Sequence, residues 1–463
     1  MGFGSGGLPS RARDYCGIQA CLVMHIRDKP PRLSRSLSWS LVGNAAYVAA
    51  QWAMLVVLAK IGTPQMVGQF ALGLAITAPL IMFSNLELRA VQATDAIQRY
   101  RFGDYLVLRI IATTLALAAL VVIVLVVGYR GQTALTILVV GVAKAFESMS
   151  DLFYGLFLQH EHVDRMAKSL LIKSPLSLGG LGLGVYLTNS VVGGACGLAI
   201  VWAILLFGYD VRNGARILKT AYRESPGLML GHAGPNTEPG PHRMIRRLRD
   251  LAWLALPLGI VGLLVNLYPN IPRYFVEEYS GASALGIFAT MAYTVVAGIK
   301  LVDSLAQSVG PRLAGHHAAG NEARFRMVLF KAVGIGLSFG AAGVLLVLLV
   351  GPEILTLFYG REYAAYPGVF LWLAIAGGIE CVATFQYWTI TAARRFVIQI
   401  PLYGVVACTS LAVCVWLVPS AGLRGAAVAC VVAATVRLCG GLAIIAHVLH
   451  TLRGRVNRQK GAQ

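Results

Sequence analysis

Charged residues are scarce in this chain. Asp, Glu, Lys and Arg make up 13% of its 463 residues, whereas a soluble domain has roughly a quarter of its residues charged. Hydrophobic residues make up 57%, and the mean hydropathy is +0.70. This composition excludes a water-soluble enzyme and indicates a protein that lies in a lipid bilayer.

The sequence also lacks the patterns of disulfide, metal and catalytic chemistry. Most of its eight cysteines fall in apolar runs, where a free thiol behaves as a small hydrophobic group. No HExxH motif and no Cys/His group at metal-binding spacing occurs. We therefore expect no catalytic residue, no metal site and no cofactor.

Long apolar runs dominate what is present. LALAALVVIVLVVGY (115–129) is continuous, whereas the strands of a membrane β-barrel would alternate polar and apolar residues. About twelve segments are long enough to cross roughly 30 Å of hydrocarbon as a helix. We predict an all-α membrane protein with spans near 37–60, 66–88, 105–128, 132–158, 166–187, 190–208, 251–272, 284–309, 328–350, 366–390, 397–418 and 422–448.

Basic residues outnumber acidic ones, 39 to 20, which gives a formal net charge of +19. A nucleic-acid partner would explain such an excess, but the position of the charges favours another explanation. They crowd the N-terminal tail, the segment 209–249 and the C-terminal tail, whereas the alternate loops hold only Arg130, Arg273, Arg361 and Arg424. This alternation follows the positive-inside rule, so we predict that both termini are cytoplasmic and that no nucleic acid is bound.

The longest polar insertion, rich in Pro, Gly and Arg, divides the spans into six and six. We expect a disordered basic tail, an N-terminal lobe, a cytoplasmic linker, a C-terminal lobe and a cytoplasmic C-terminal tail. The predicted bounds are 1–36, 37–208, 209–249, 250–448 and 449–463.

The two halves share a weak repeat. GTPQMVGQFALGLAI (62–76) and SGASALGIFATMAYT (280–294) align with Gly68 on Gly286 and Phe70 on Phe288. Six spans return the chain to the same side of the membrane, so the halves form a parallel pseudo-repeat. Two lobes related in this way enclose a seam that can open to either side alternately.

About a dozen ionisable residues lie within predicted spans, where each costs about 2.5–3.5 kcal/mol at a helix centre. Lys60, Glu87 and Arg109 lie close enough to span ends for their side chains to reach the membrane surface. The residues deeper in the spans have no such route. They are the cations Lys144, Lys173, Lys300, Lys331 and Arg437 and the acids Glu147, Asp151, Asp303 and Glu380.

Lys144, Glu147 and Asp151 share one helical face, and Lys300 and Asp303 repeat the spacing. Two interpretations stay open and are compatible. The pairs are internal and hold helices together, or they line the seam, where cations meet an anionic substrate and acids bind a coupling ion. Pro257 in the seventh span is a candidate hinge, although ordinary membrane-helix proline is as good an explanation.

Three stretches resemble one known family, the polysaccharide (O-antigen and lipopolysaccharide) flippases of the multidrug/oligosaccharidyl-lipid/polysaccharide (MOP) superfamily. KAFESMSDLFYGLFLQHEHVDRMAKSLLIK (144–173) resembles the family's fourth and fifth spans. SLVGNAAYVAAQWAMLVVLAKIGTPQMVGQFALGLAITAPLIMF (40–83) is similar to its opening hairpin, and LFYGREYAAY (357–366) to the loop before its tenth span. The likeness runs from about residue 37 to 448 and omits the N-terminal tail and the segment 209–249.

The resemblance implies a two-lobe fold of about twelve helices, like that of MATE transporters, in the bacterial inner membrane. It implies a monomer that moves a glycan linked to polyprenyl diphosphate between leaflets by alternating access, with coupling to protons or sodium ions. A diphosphate carries about two negative charges that cations must meet away from water. We therefore expect the five deep cations named above to contact the anion and the four acids to balance charge or couple an ion.

Other functions are weighed against this one. A cation-coupled multidrug antiporter has the same fold, but such proteins often use an acid in the first span, and residues 37–59 contain no Asp or Glu. A membrane enzyme acting on lipid-linked sugars would need a sizeable outer loop, and the first predicted outer loop is 61–65. A structural scaffold would not explain the intramembrane charges.

Overall fold

A computed structural model describes residues 33–95, 100–224, 241–318, 321–393 and 397–460. Within these ranges the chain is helical with short turns and contains no strand, which confirms the all-α prediction. Residues 1–32 of the predicted tail and 225–240 of the predicted linker lie outside the described residues.

In the described residues of the first half there are eight helices and one π-helical turn, Leu206–Asp210. The helices are α1 (Leu33–Ile61), α2 (Pro64–Asn85), α3 (Leu88–Thr94), α4 (Phe102–Val127), α5 (Gly131–Gln159), α6 (Val163–Thr188), α7 (Val191–Leu205) and α8 (Val211–Glu224).

The second half forms longer helices, three of which contain a break. These are α9 (Pro241–Leu267), α10 (Ile271–Ala318, broken at Gly281), α11 (Glu322–Phe358, broken at Val350), α12 (Pro367–Ala392) and α13 (Gln399–Lys460, broken at Gly422). A 3₁₀ turn, Arg361–Ala365, precedes α12.

Ten stretches of the described chain are long and apolar enough to cross a membrane. Two of them are too long for one crossing, because 74 residues of helix measure about 110 Å against roughly 30 Å of hydrocarbon. Met244–His317 is interrupted by the turn at residues 268–270, and Gln399–Thr451 by Gly422. If each holds two crossings, the total is twelve, in agreement with the predicted count.

Short connections join the crossings because the sequence places caps and turn residues there. The Oγ1 atom of Thr63 accepts a hydrogen bond from the Met66 amide at 3.3 Å, and Pro64 begins α2. The Oγ atom of Ser190 caps α7 in the same way, accepting from the Val192 amide at 3.2 Å. Gly422 has φ +52°, a conformation that glycine adopts at little cost.

The helices pack as two lobes. In the first, α6 packs on α1 and α7, and α5 packs on α2 and α7. In the second, α12 packs on α10, α11 and α13. A very close contact within the first lobe joins α6 and α7, where a Cβ atom on Gly197 would lie 2.1 Å from the carbonyl oxygen of Gly180. Small residues allow this approach, as is usual between membrane helices.

The main contact between the lobes joins α2 to α10. A Cβ atom on Gly68 would lie 1.7 Å from the Ala282 carbonyl oxygen, and one on Gly286 would lie 2.0 Å from the Pro64 carbonyl oxygen. Gly68 and Gly286 are the residues that the sequence repeat aligns. Equivalent residues of two repeats touch each other only near the axis that relates them, so this contact marks the pseudo-symmetry axis.

Part of the predicted linker is helical. α8 continues α7 through the π turn, and α9 begins at Pro241, before the predicted start of the second lobe. The bounds of the lobes and the linker stay predictions. Pro257 lies inside α9, whereas the breaks in the long helices fall at Gly281, Val350 and Gly422, and its hinge role also stays a prediction.

Candidate functional site

The seam between the lobes is closed at one end. We call it the outer end because it holds the loop 62–63, which the positive-inside rule predicts on the non-cytoplasmic side. The indole Nε1 of Trp52 donates to Thr294 Oγ1 across the seam at 3.4 Å, and the Tyr274 hydroxyl donates to the Ala75 carbonyl at 2.5 Å. Together with the Gly68–Gly286 contact, these bonds join α1 and α2 to α10.

Past Thr294 one face of α10 is exposed, while Val302 and Ala306 stay buried. The side chain of Lys300 is 51% exposed, and Leu301 and Leu305 are 60% and 44% exposed. Met82 and Phe83, in the last turn of α2, are also exposed. On the α9 side the lobes stay in contact beyond this level, because Leu251 and Ala255 pack in one buried cluster with Leu88 and Tyr105.

A polar network in the N-terminal lobe is centred on Asp151. Arg89 Nη1 donates to Asp151 Oδ1 at 3.1 Å, and Arg109 Nη2 lies 3.6 Å from Asp151 Oδ2. Arg109 also donates to Asn85 Oδ1 and, at 3.3 Å, to Ser148 Oγ. Its side chain is fully buried, so the prediction that Arg109 reaches the membrane surface is wrong. The carboxylate and the amide hold the guanidinium inside the lobe.

Arg89 was not among the predicted site residues. It follows the end of the second predicted span, in the stretch LELRA, and resembles a loop residue in sequence. The structure turns the chain at Leu86 and Glu87, both with φ +49°, and returns Arg89 to the lobe on α3. Its side chain is 32% exposed, so it is accessible as well as paired.

Lys144 and Lys173 flank the ring of Trp202. Lys144 Nζ lies 5.3 Å from the ring centroid and 2.7 Å from Glu147 Oε2, and its side chain is 17% exposed. Lys173 Nζ lies 4.8 Å from the same ring. Lys173 is 1% exposed, and within the described ranges it has no carboxylate oxygen within 4 Å. In this conformation Lys144 is therefore partly accessible, whereas Lys173 is not.

Asp210 is a second residue that the sequence did not reveal, because it falls at the start of the predicted linker. It is fully buried at the end of the π turn, and Ser169 Oγ donates to its Oδ1 at 2.7 Å. Buried helical structure therefore continues past the predicted end of the sixth span.

The C-terminal lobe brings Arg437 and Glu380 together, as an ion pair whose side chains are 11% and 13% exposed. The Tyr268 hydroxyl donates to Glu380 Oε1 at 3.1 Å and lies 3.1 Å from Arg437 Nη1. The guanidinium also lies over the Tyr403 ring at 5.5 Å. In this conformation the geometry favours the internal-pair interpretation for these two residues.

Lys300 and Asp303 form a looser pair at 3.6 Å, and Asp303 Oδ1 accepts a hydrogen bond from Trp388 Nε1 at 2.9 Å. Lys331 is exposed on α11, on the side away from the buried Phe325 and Ala332. The structure thus places Lys331 apart from the other predicted cations. Over the described part of the chain, no group of three His, Cys, Asp or Glu side chains could hold a metal ion.

No family model matches the chain. Among curated proteins, the "Capsular polysaccharide biosynthesis protein CapF" of Staphylococcus aureus is 26% identical over 396 residues, which are 85% of this chain and 94% of that protein.

Solved structures of MATE transporters share the fold. An inward-facing multidrug resistance MATE family transporter of the MOP superfamily has a TM-score of 0.59 at 14% identity, over 90% of this chain and 96% of that one. An outward-facing MATE family transporter gives 0.54 at 14% identity, over 91% and 96%. A MOP superfamily transporter from Pyrococcus furiosus, described with a binding pocket of reverse polarity, gives 0.59 at 16% identity over the same shares. The comparisons agree with the predicted resemblance: this chain is a multi-pass membrane protein with the fold of these MATE transporters, and it is similar in sequence to a capsular polysaccharide biosynthesis protein.

Proposed function

We propose that the protein is a flippase that moves glycans linked to a polyprenyl diphosphate across the bacterial inner membrane by alternating access. Its sequence relative is named for capsular polysaccharide biosynthesis, and its fold is that of transporters. The distribution of Lys and Arg along the sequence supports cytoplasmic termini, so the end opposite the outer end would receive the substrate from the cytoplasm.

The observation that carries this proposal is the set of partly exposed cations in both lobes. Arg89 and Lys144 lie in the first lobe, and Lys300 lies in the second, beyond Thr294 on α10. Each is paired with a carboxylate that a diphosphate oxygen can replace, since both are acceptors for the same N–H donors. A lipid diphosphate can therefore bind these cations by replacing the carboxylates that pair with them in this conformation.

The acids have a matching role in the proposal. When phosphate oxygens take the cations, Glu147, Asp151 and Asp303 lose a partner and become sites for a proton or a sodium ion. Glu380 does the same if Arg437 leaves it in another conformation. By reciprocity, an ion that binds these acids frees the cations and strengthens binding of the substrate, and dissociation of the ion favours its release, which couples transport to an ion gradient.

A multidrug antiporter is the second candidate, because transporters of that kind share the fold. Two features oppose it. The described part of α1 contains no Asp or Glu, and an organic cation entering beside Arg89, Lys144 and Lys300 would meet like charges. The same cations favour an anionic substrate.

The proposal is tested with Lys300→Gln in proteoliposomes that contain a fluorescent oligosaccharide linked to a short polyprenyl diphosphate. The initial rate of flipping should fall about tenfold, the effect of losing one charge-assisted hydrogen bond. Lys168→Gln is the matched control. Lys168 is 52% exposed and pairs with Asp164 at 3.4 Å, much as Lys300 pairs with Asp303.

The folded state of Lys300→Gln should be unaffected, because exposed ion pairs contribute little to stability. Equal flipping by Lys300→Gln and Lys168→Gln would contradict the proposed substrate contact. Export of organic cations without any flipping of the lipid-linked glycan would favour the antiporter instead.

A further inference from the structure

Arg273 is a buried cation that the proposed function does not yet use. The sequence placed it in an outer loop, but the structure places it in the first turn of α10, where it is 6% exposed. Its Nη1 donates to Asn270 Oδ1 at 2.8 Å and to the Tyr293 hydroxyl at 3.1 Å. The guanidinium carbon lies 4.4 Å from the centroid of the Tyr293 ring.

The charge of Arg273 has no close counter-ion. Over the described residues, no carboxylate oxygen lies within 4 Å of its guanidinium, and its buried Nε has no hydrogen-bond partner. The other buried arginines differ, because Arg109 pairs with Asp151 and Arg437 pairs with Glu380. A buried guanidinium without an anion is costly, and it retains N–H donors in the planar arrangement that matches a phosphate.

Arg273 lies next to the contacts that close the seam. Its neighbour Tyr274 donates to the Ala75 carbonyl of the first lobe. Tyr293, which holds the guanidinium, precedes Thr294, the acceptor of the Trp52 hydrogen bond. If the outer end opens, both interlobe bonds must break, and the surface beside Arg273 and Tyr293 is uncovered.

We propose that Arg273 is an exit-side anion contact, which binds the phosphate group of a lipid when the outer end of the seam opens. The inference rests on the proposed function for its direction of transport. The Asn270 and Tyr293 side chains hold the guanidinium in place, so little conformational entropy is lost on binding. The phosphate belongs either to the transported lipid or to a phospholipid of the outer leaflet, and the experiment separates these sources.

The experiment measures binding of farnesyl diphosphate to the full chain in nanodiscs of zwitterionic lipid. A Gly68→Val background holds the outer end open, since even a Cβ atom there would collide with the Ala282 carbonyl. In that background Arg273→Gln should weaken binding about tenfold or more, as expected for a lost charge-assisted contact. Arg424→Gln, which removes an exposed arginine near the break in α13, is the matched control and should leave binding unchanged.

With Gly68 present, Arg273→Gln should change binding little, because the closed seam covers the site. Undiminished binding by Arg273→Gln in the Gly68→Val background would overturn the inference. If Lys300→Gln nevertheless slows flipping about tenfold, the proposed function still stands. Addition of phosphatidylglycerol then assigns the source. Competition with farnesyl diphosphate identifies an outer-leaflet phospholipid, and lack of competition identifies the transported lipid.

Arg273→Lys keeps the test valid if Arg273→Gln fails to fold. Lysine retains the charge but loses the planar pair of donors, so binding should weaken and become more sensitive to salt. If Arg273 only supports the turn before α10, both variants will lower the melting temperature, and the folded fraction will bind the probe with unchanged affinity. That result would also overturn the inference.

Discussion

Two arginines share the carboxylate of Asp151 from sites of opposite exposure. Arg109 is fully buried, whereas the side chain of Arg89 is 32% exposed. When a buried arginine is removed, water cannot replace the hydrogen-bond donor that its partners lose. When an exposed arginine is removed, water can replace that donor. The two arginines therefore differ in what they contribute to stability, although they bind the same group.

We expect Arg109→Met to lower the free energy of unfolding by about 3–5 kcal/mol, the cost of breaking a buried ion pair. Arg89→Met should cost less than about 1 kcal/mol, as for a pair accessible to water. Denaturant titration of both variants in the same detergent measures the difference. Equal losses for the two variants would show that burial does not set the strength of these contacts.

The local charge pairs were predictable, but the positions that depend on tertiary structure were not. Lys144 with Glu147 and Lys300 with Asp303 are three residues apart, so helix geometry alone brings each pair together. Arg109, Asp210 and Arg273 were assigned to span ends or loops. Their burial depends on how neighbouring helices extend past the apolar run. The hydropathy of a single segment carries no information on its neighbours.

At the scale of the helix pair, α6 and α7 approach through glycines that face each other. A Cβ atom on Gly197 would lie 2.1 Å from the Gly180 carbonyl oxygen, and one on Gly184 would lie 2.2 Å from the Gly193 carbonyl oxygen. The same stretch contains Gly179, where a Cβ atom would have no neighbour within 4 Å. The pair of helices therefore provides its own control for the effect of one methyl group.

Gly197→Ala should destabilise the protein by about 1–3 kcal/mol, because the added methyl group forces α6 and α7 apart. Gly179→Ala should have no such cost, and it gains up to about 1 kcal/mol from the higher helix propensity of alanine. Thermal unfolding followed by circular dichroism compares the two. A similar change in both melting temperatures would indicate that the helices separate without cost.

The crossings were predictable from hydropathy because each apolar run is a property of one segment. The connections were not. Residues 268–270 form a short turn where the sequence suggested a span ending at 272, and part of the predicted linker is helix. A turn of three residues or a single glycine between two crossings leaves too weak a polar signal to locate its exact bounds.

At the scale of the whole molecule, two features predicted from the sequence meet in one place. The weak repeat aligned Gly68 with Gly286, and the structure brings these glycines into contact at the closed end of the seam. The sequence repeat therefore indicated both how the two lobes are related and which residues close the seam between them. The sequence could not show which end of the seam is closed, because that depends on the conformation.

Gly68→Val should hold the outer end open and so make position 294 accessible from that side. A Thr294→Cys reporter in this background should react with a membrane-impermeant maleimide several times faster than the same reporter with Gly68 present. Gly103→Val is the control, since a Cβ atom at Gly103 has no neighbour within 4 Å. Identical labelling rates in the three proteins would show that the glycine contact does not keep the seam shut.

Three of the connections at the outer end are very short. Two residues, 62–63, join α1 to α2, and residues 189–190 join α6 to α7. Gly422 alone separates the two crossings that α13 accommodates. This face of the protein consequently offers few flexible segments to an antibody or a protease, and a bulky hydrated sugar chain emerging there would meet little steric obstruction from protruding polypeptide.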